Sequence, residues 1–141
     1  VLDRTFAIAI NDVNEFAPVI TSDGGGASAS ISIQENTTPV TTVVATDADA
    51  TAVITYSISG GADAAKFTIN SSSGVLSFLA APDFETPTDA NADNDYVVIV
   101  QASDGTNTDT QTITVTVTNV AEGGSTAGEM FGFFFPMTKA A

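Results

Sequence analysis

Apolar and polar residues alternate along most of this chain. Seven stretches carry the two-residue period of half-buried strands: Ile31-Ser-Ile33, Val40 to Val44, Val53-Ile-Thr-Tyr-Ser-Ile58, Phe67-Thr-Ile69, Val75-Leu-Ser-Phe78, Tyr96 to Val100 and Thr112 to Thr118. Turn-forming clusters separate them, at Ser22 to Gly26, Gly60 to Asp63, Asn70 to Gly74, Pro82 to Asp95 and Ser103 to Asn107. Short strands at this spacing predict an all-β, seven-stranded antiparallel sandwich. No long segment holds a 3.6-residue apolar stripe, and Asp63-Ala-Ala-Lys66 predicts a single helical turn.

The same patterning reveals an internal echo. Phe6-Ala-Ile-Ala-Ile10-Asn-Asp-Val-Asn-Glu15 resembles Ile113-Thr-Val-Thr-Val117-Thr-Asn-Val-Ala-Glu122, at an offset of 107 residues (113 minus 6). Both are alternating strands that run into an acidic turn. The chain reads as the end of one repeat, a linker, one whole repeat and a second, degraded linker. Residues 1–11 are expected to be the last strand of a preceding repeat or a donor strand, residues 12–18 a linker, 19–120 the sandwich, and 121–141 a Gly/Ser linker with a Phe-rich tail. Leu2, Phe6, Ile8 and Ile10 share one face of the first strand. A lone strand satisfies neither its backbone groups nor that face, so a complete unit needs something else to receive it. In the tail, Met130-Phe-Gly-Phe-Phe-Phe-Pro-Met137 places four of the nine Phe within five positions. That segment is too short to span a bilayer, which takes about 20 apolar residues. It reads as a remnant or as a segment that docks into a groove.

Composition narrows the chemistry. A 43% hydrophobic content supports a real core. With no cysteine or histidine, disulfides, thiolate metal sites and imidazole catalysis drop out. Seventeen acids against three bases give a net charge of −14. Nucleic acid and anionic membrane surfaces are poor partners, because both need clustered Lys and Arg. The acidity either keeps an extracellular protein soluble or builds cation sites.

Position favours the cation sites. Acids cluster at strand ends in five places: Asp12-Val-Asn14-Glu15-Phe16-Ala17-Pro18, then Glu35, Asp47-Ala-Asp49, Asp83-Phe-Glu85 and Asp104. With these motifs in this order, residues 12 to 122 resemble the cadherin repeat in its bacterial adhesin form. The resemblance implies a Greek-key sandwich with Ca2+ at the junction between consecutive repeats. It implies Asp12, Asn14, Glu15 and the carbonyl of Phe16 as linker ligands. Asp47, Asp49 and Asp104 would face the preceding repeat, and Glu35, Asp83 and Glu85 the following one. Calcium takes 6–8 oxygen ligands, more than one strand end supplies. Two domain ends and a linker supply enough, and bound metal would cancel carboxylate repulsion and stiffen the junction.

The chain departs from the family pattern in ways that matter. Glu15 and Phe16 stand where the family has Asp and Asn. The second linker, Asn119-Val-Ala-Glu122, lacks its leading Asp and its Asn, so the lower site is expected to be weak or empty. Asp89-Ala-Asn91-Ala-Asp93-Asn94-Asp95 opens like a calcium loop but then fails, with Asn94 in place of Gly and Val100 in place of Glu. It reads first as a solvated polar loop. Asn36-Thr-Thr38 and Asn70-Ser-Ser72 match the glycosylation pattern and read as turns.

The expected function is a calcium-binding structural or adhesive module, not an enzyme, in an extracellular protein of a bacterial cell surface. Its partners are neighbouring repeats or identical subunits, without membrane insertion. The alternative is a subunit of an extracellular filament, a homopolymer built by β-strand donation. A carbohydrate-binding or hydrolytic module fits least, with no Trp and only Tyr56 and Tyr96.

Overall fold

The seven strands expected for the sandwich all form in the computed structural model, which describes residues 13–122 together with Thr5 and Ala7. In chain order the strands are β1 (Val19–Ile20), β2 (Ser28–Gln34), β3 (Pro39–Thr42), β4 (Ala45–Thr46), β5 (Thr55–Gly60), β6 (Phe67–Ile69), β7 (Val75–Phe78), β8 (Asp95–Ser103) and β9 (Thr108–Thr118). A 3-10 turn at Ala64–Lys66 occupies the expected helical position. The seven longer strands form two sheets, ordered β2-β9-β8-β5 and β3-β7-β6. The two-residue strands β1 and β4 pair separately, Val19 with Thr46 and Ile20 with Ala45. The proposed strand at 1–11 and the tail from residue 123 lie outside the described residues, apart from exposed Thr5 and Ala7.

The alternation seen in the sequence becomes the inside and outside of the sandwich. In β8, Tyr96, Val98, Val100 and Ala102 are buried; in β9, Ile113, Val115 and Val117 are. The alternate positions, Thr112, Thr114 and Thr116 in β9 but Val97, Ile99 and Gln101 in β8, lie on the opposite face and are only partly buried, as the two-residue pleat requires. Phe67, Leu76 and Phe78 answer from the other sheet. The Phe67 and Phe78 rings lie 4.4 Å apart, and Tyr96 meets Phe78 edge-on at 5.0 Å. The Tyr96 hydroxyl is satisfied too, accepting the Thr88 N–H at 3.0 Å.

One pairing departs from the antiparallel expectation. β2 runs parallel to β9 through seven residue pairs, from Ser28 opposite Thr112 to Gln34 opposite Thr118. The first long strand thus lies beside the last, and both run from one pole of the sandwich to the other. Gly74 illustrates how tightly the second sheet's turn is drawn. Its φ is +75°, its carbonyl accepts the Val43 N–H at 2.8 Å, and a Cβ there would sit 2.1 Å from the Val43 oxygen. Only glycine fits.

Candidate metal poles of the sandwich

The upper pole gathers three loops: the linker before β1, the segment after β4 and the β8–β9 turn. The Asp49 carboxylate accepts the linker N–H groups of Glu15 at 3.1 Å and Phe16 at 2.9 Å. Asp47 turns back to accept the Asp49 N–H at 2.8 Å. Asp104 accepts the N–H groups of Thr106 and Asn107, each at 2.7 Å. These short-range bonds are why Asp is favoured at strand ends. They leave something over. Asp47 Oδ2 and Asp104 Oδ2 are buried and have no hydrogen-bond donor. The other two unpartnered buried side-chain oxygens among the described residues belong to the neutral amides of Asn94 and Gln111. A charged oxygen left without donor or cation is far costlier than a neutral one.

Asn107, which the sequence reading did not single out, completes the pole. Its amide donates to Asn14 Oδ1 at 3.0 Å and to the Phe16 carbonyl at 3.1 Å. The only sequence signal was its place in an Asp-Gly turn. The N–H of Asn107, followed by that of Thr106 and the amides of Asn14 and Asn107, holds the Asp104 carboxyl below its usual range, although burial pulls the other way. It therefore stays ionised near neutrality. Asp12, the remaining linker acid, lies outside the described residues.

The lower pole is built differently. Glu35 follows β2 and is 2% exposed. Its oxygens accept the Val120 N–H at 2.8 Å and the Phe84 N–H at 2.9 Å. The same two N–H groups, Val120 first, lower its pKa and outweigh burial, with a smaller contribution from Glu85. Among the described residues, Glu35, Asp83 and Glu85 alone bring acidic oxygens all within 4.8 Å of one another. Asp83 also accepts the Thr86 N–H at 3.0 Å. The degraded linker folds onto this group with amides: Asn119 donates to Glu85, and Asn36 donates to Glu122 at 2.5 Å.

The loop at 89–95 is anchored at its root by two buried acids. Asp89 is 6% exposed. Its two oxygens take the Asp93 N–H at 2.9 Å and the Asn94 N–H at 3.1 Å. Asp63, equally buried, takes Ala90 N–H at 2.6 Å and Val97 N–H at 2.8 Å. Ala92 and Asn94 adopt left-handed φ values of 59° and 68°. Both acids are spent on backbone, holding a tight excursion before β8. Asn70 behaves as the turn residue expected, accepting the Ser72 and Ser73 N–H groups, each at 2.9 Å.

Known proteins share this frame. The Drosophila melanogaster protein dachsous is 38% identical over 104 residues, covering 71% of this chain and 3% of that protein. The structure of the protocadherin gamma B4 extracellular domain superposes with a TM-score of 0.59 at 28% identity, covering 77% of this chain and 16% of that one. Extracellular cadherin domains 3–6 of protocadherin gamma B2 give 0.62 at 27%, covering 77% and 26%. The chain thus spans a small part of each relative, the length of a single repeat. The family model described as the cadherin domain matches residues 29–118. The chain belongs to the cadherin domain family.

Proposed function

We propose that this chain is an extracellular structural or adhesive module whose upper pole takes Ca2+ together with the preceding repeat of a surface protein. The observation that carries this reading is the pair of buried, donorless carboxylate oxygens on Asp47 and Asp104, flanking the linker. Hard oxygen donors of this kind suit Ca2+. Asp12, Asn14, Glu15, the Phe16 carbonyl, Asp47, Asp49 and Asp104 would hold the ion there, and Glu35, Asp83 and Glu85 would hold a weaker one below. Bound Ca2+ would offset the mutual repulsion of these acids. The protein's own part is to clamp the linker, through Asp49 on its N–H side and Asn107 on its carbonyl side, so that one module is aimed at the next. Placement on a bacterial surface follows the sequence resemblance.

The test is the melting temperature and size of the chain with calcium at about 2 mM, within the extracellular-module range, and again with chelator. At about 100 times the dissociation constant, linkage stabilises by roughly 2.7 kcal/mol, on the order of 10 °C. An unchanged melting temperature would remove the upper pole as a metal site. A second reading, a filament formed by donation of the amphipathic strand Val1 to Ile10, is favoured by its one-sided Leu2, Phe6, Ile8 and Ile10. It predicts polymers that Phe6→Asp abolishes.

A further inference from the structure

The lower pole carries a concavity that the metal reading does not use. It encloses about 430 Å³, within the range of small-ligand pockets. Phe78 and Tyr96 line it, as do Leu79 and buried Pro82. Leu79 is 66% exposed, a large apolar side chain left at the wall of the hollow. Lys66 and Asp83 also line the hollow, and Lys66 is the only Lys or Arg among the described residues.

We infer that this hollow is the seat of the chain's own Phe-rich segment, Met130 to Met137. Three observations converge on that occupant. First, the described chain ends beside the hollow: Glu122 takes a hydrogen bond from Asn36, whose own N–H bonds the carbonyl of Pro82 at 2.9 Å. Second, the reach suffices. Phe131 lies nine positions after Glu122, a separation that spans up to roughly 30 Å when extended, and the sequence between them is rich in Gly, Ser and Thr. Third, charge matches. Glu129 is the only acid between residues 123 and 141, and it lies two residues before Phe131. It would meet Lys66, on a surface that otherwise repels acids. The Phe rings would cover Leu79, behind which Phe78 and Tyr96 lie buried.

The experiment places a fluorophore in a chain that has no Trp. The full chain carrying Phe133→Trp is expected to show blue-shifted emission, shielded from a soluble quencher, at every protein concentration in a wide dilution series. Adding Leu79→Glu should return the emission to that of exposed Trp without lowering the melting temperature, because Leu79 is mostly exposed. Lys66→Glu should weaken docking about 1.4- to 5-fold, the range of an exposed ion pair, and Lys66→Glu with Glu129→Lys should restore it. Solvent-exposed emission in the starting protein overturns the inference. So does a blue shift that Leu79→Glu leaves intact, or one that disappears on dilution, which would assign the hollow to a neighbouring copy's tail.

Discussion

The two poles of this sandwich satisfy their acids in opposite ways. At the upper pole, Asp47 and Asp104 each keep one buried oxygen with no donor. At the lower pole, Glu35 has two backbone donors, Glu85 has Asn119 and Glu122 has Asn36. The lower acids stand closer together, yet they are the better supplied with hydrogen bonds. Proximity of carboxylates is therefore a poor guide to how well the fold compensates them. What counts is how much negative charge the protein leaves uncompensated. An Asn in the linker brings N–H donors where an Asp would bring another charge, and the lower pole closes on itself.

The largest way to break this contrast is Glu35→Ala. It would strip acceptors from the N–H groups of Phe84 and Val120, and buried donors left unmade are costly. A fall in melting temperature on the order of 10 °C is expected in chelator, with only a small further fall in calcium from the weaker lower site. A fall seen only with calcium would mean that Glu35 is chiefly a metal ligand. Next comes Asp47→Asn combined with Asp104→Asn. This pair should abolish the calcium-dependent rise in melting temperature, and in chelator it should lose the stability that the hydrogen-bonded Asp104 carboxylate contributes. Thermal scans with and without calcium read both effects.

Asn119→Asp sharpens the comparison from the other side. It removes the donor to Glu85 and adds a fourth carboxylate to the group. In chelator it should cost about 1 kcal/mol, at the upper end for an exposed pair, and it should enlarge the calcium response. Equilibrium denaturation in the two conditions measures the difference.

The smallest effect concerns acid. Burial pushes the Asp89 carboxyl upward, but the N–H groups of Asp93 and Asn94, with those of Asp89 and Asn91, outweigh it and hold it below its usual value. A carboxyl with a lowered folded pKa contributes stability above its unfolded pKa and loses it as pH falls through the folded value. Asp89→Asn should therefore be destabilising at neutral pH, with the gap to the parent narrowing below about pH 4. Melting temperatures across pH test this.

Much of the fold was legible in the sequence because the signal is local. Val and Ile alternating with Thr leave a strand one orientation, and all seven stretches became strands. Asp63 to Lys66 became its turn for a similar reason. The parallel β2–β9 pairing was not legible, since it joins residues more than 80 positions apart and no turn dictates it. At the poles, the acids were legible as a set of types, while their partners were not. Asn107 looks like an ordinary turn residue, and Asn119 like a lost linker Asp, until the fold brings Phe16 and Glu85 to them. At Asp89 the sequence already breaks the calcium-loop pattern, but only the backbone geometry shows that both its oxygens are taken.

The parallel β2–β9 ladder has a consequence for load. The chain enters β2 at the upper pole and leaves β9 at the lower one. A pull on the two ends drags these neighbours past each other lengthwise. Their hydrogen bonds are then loaded together in shear, and none can be unzipped singly. The outermost strand of the larger sheet, which looks like its loosest part, becomes the latch that must fail before the module can be drawn out.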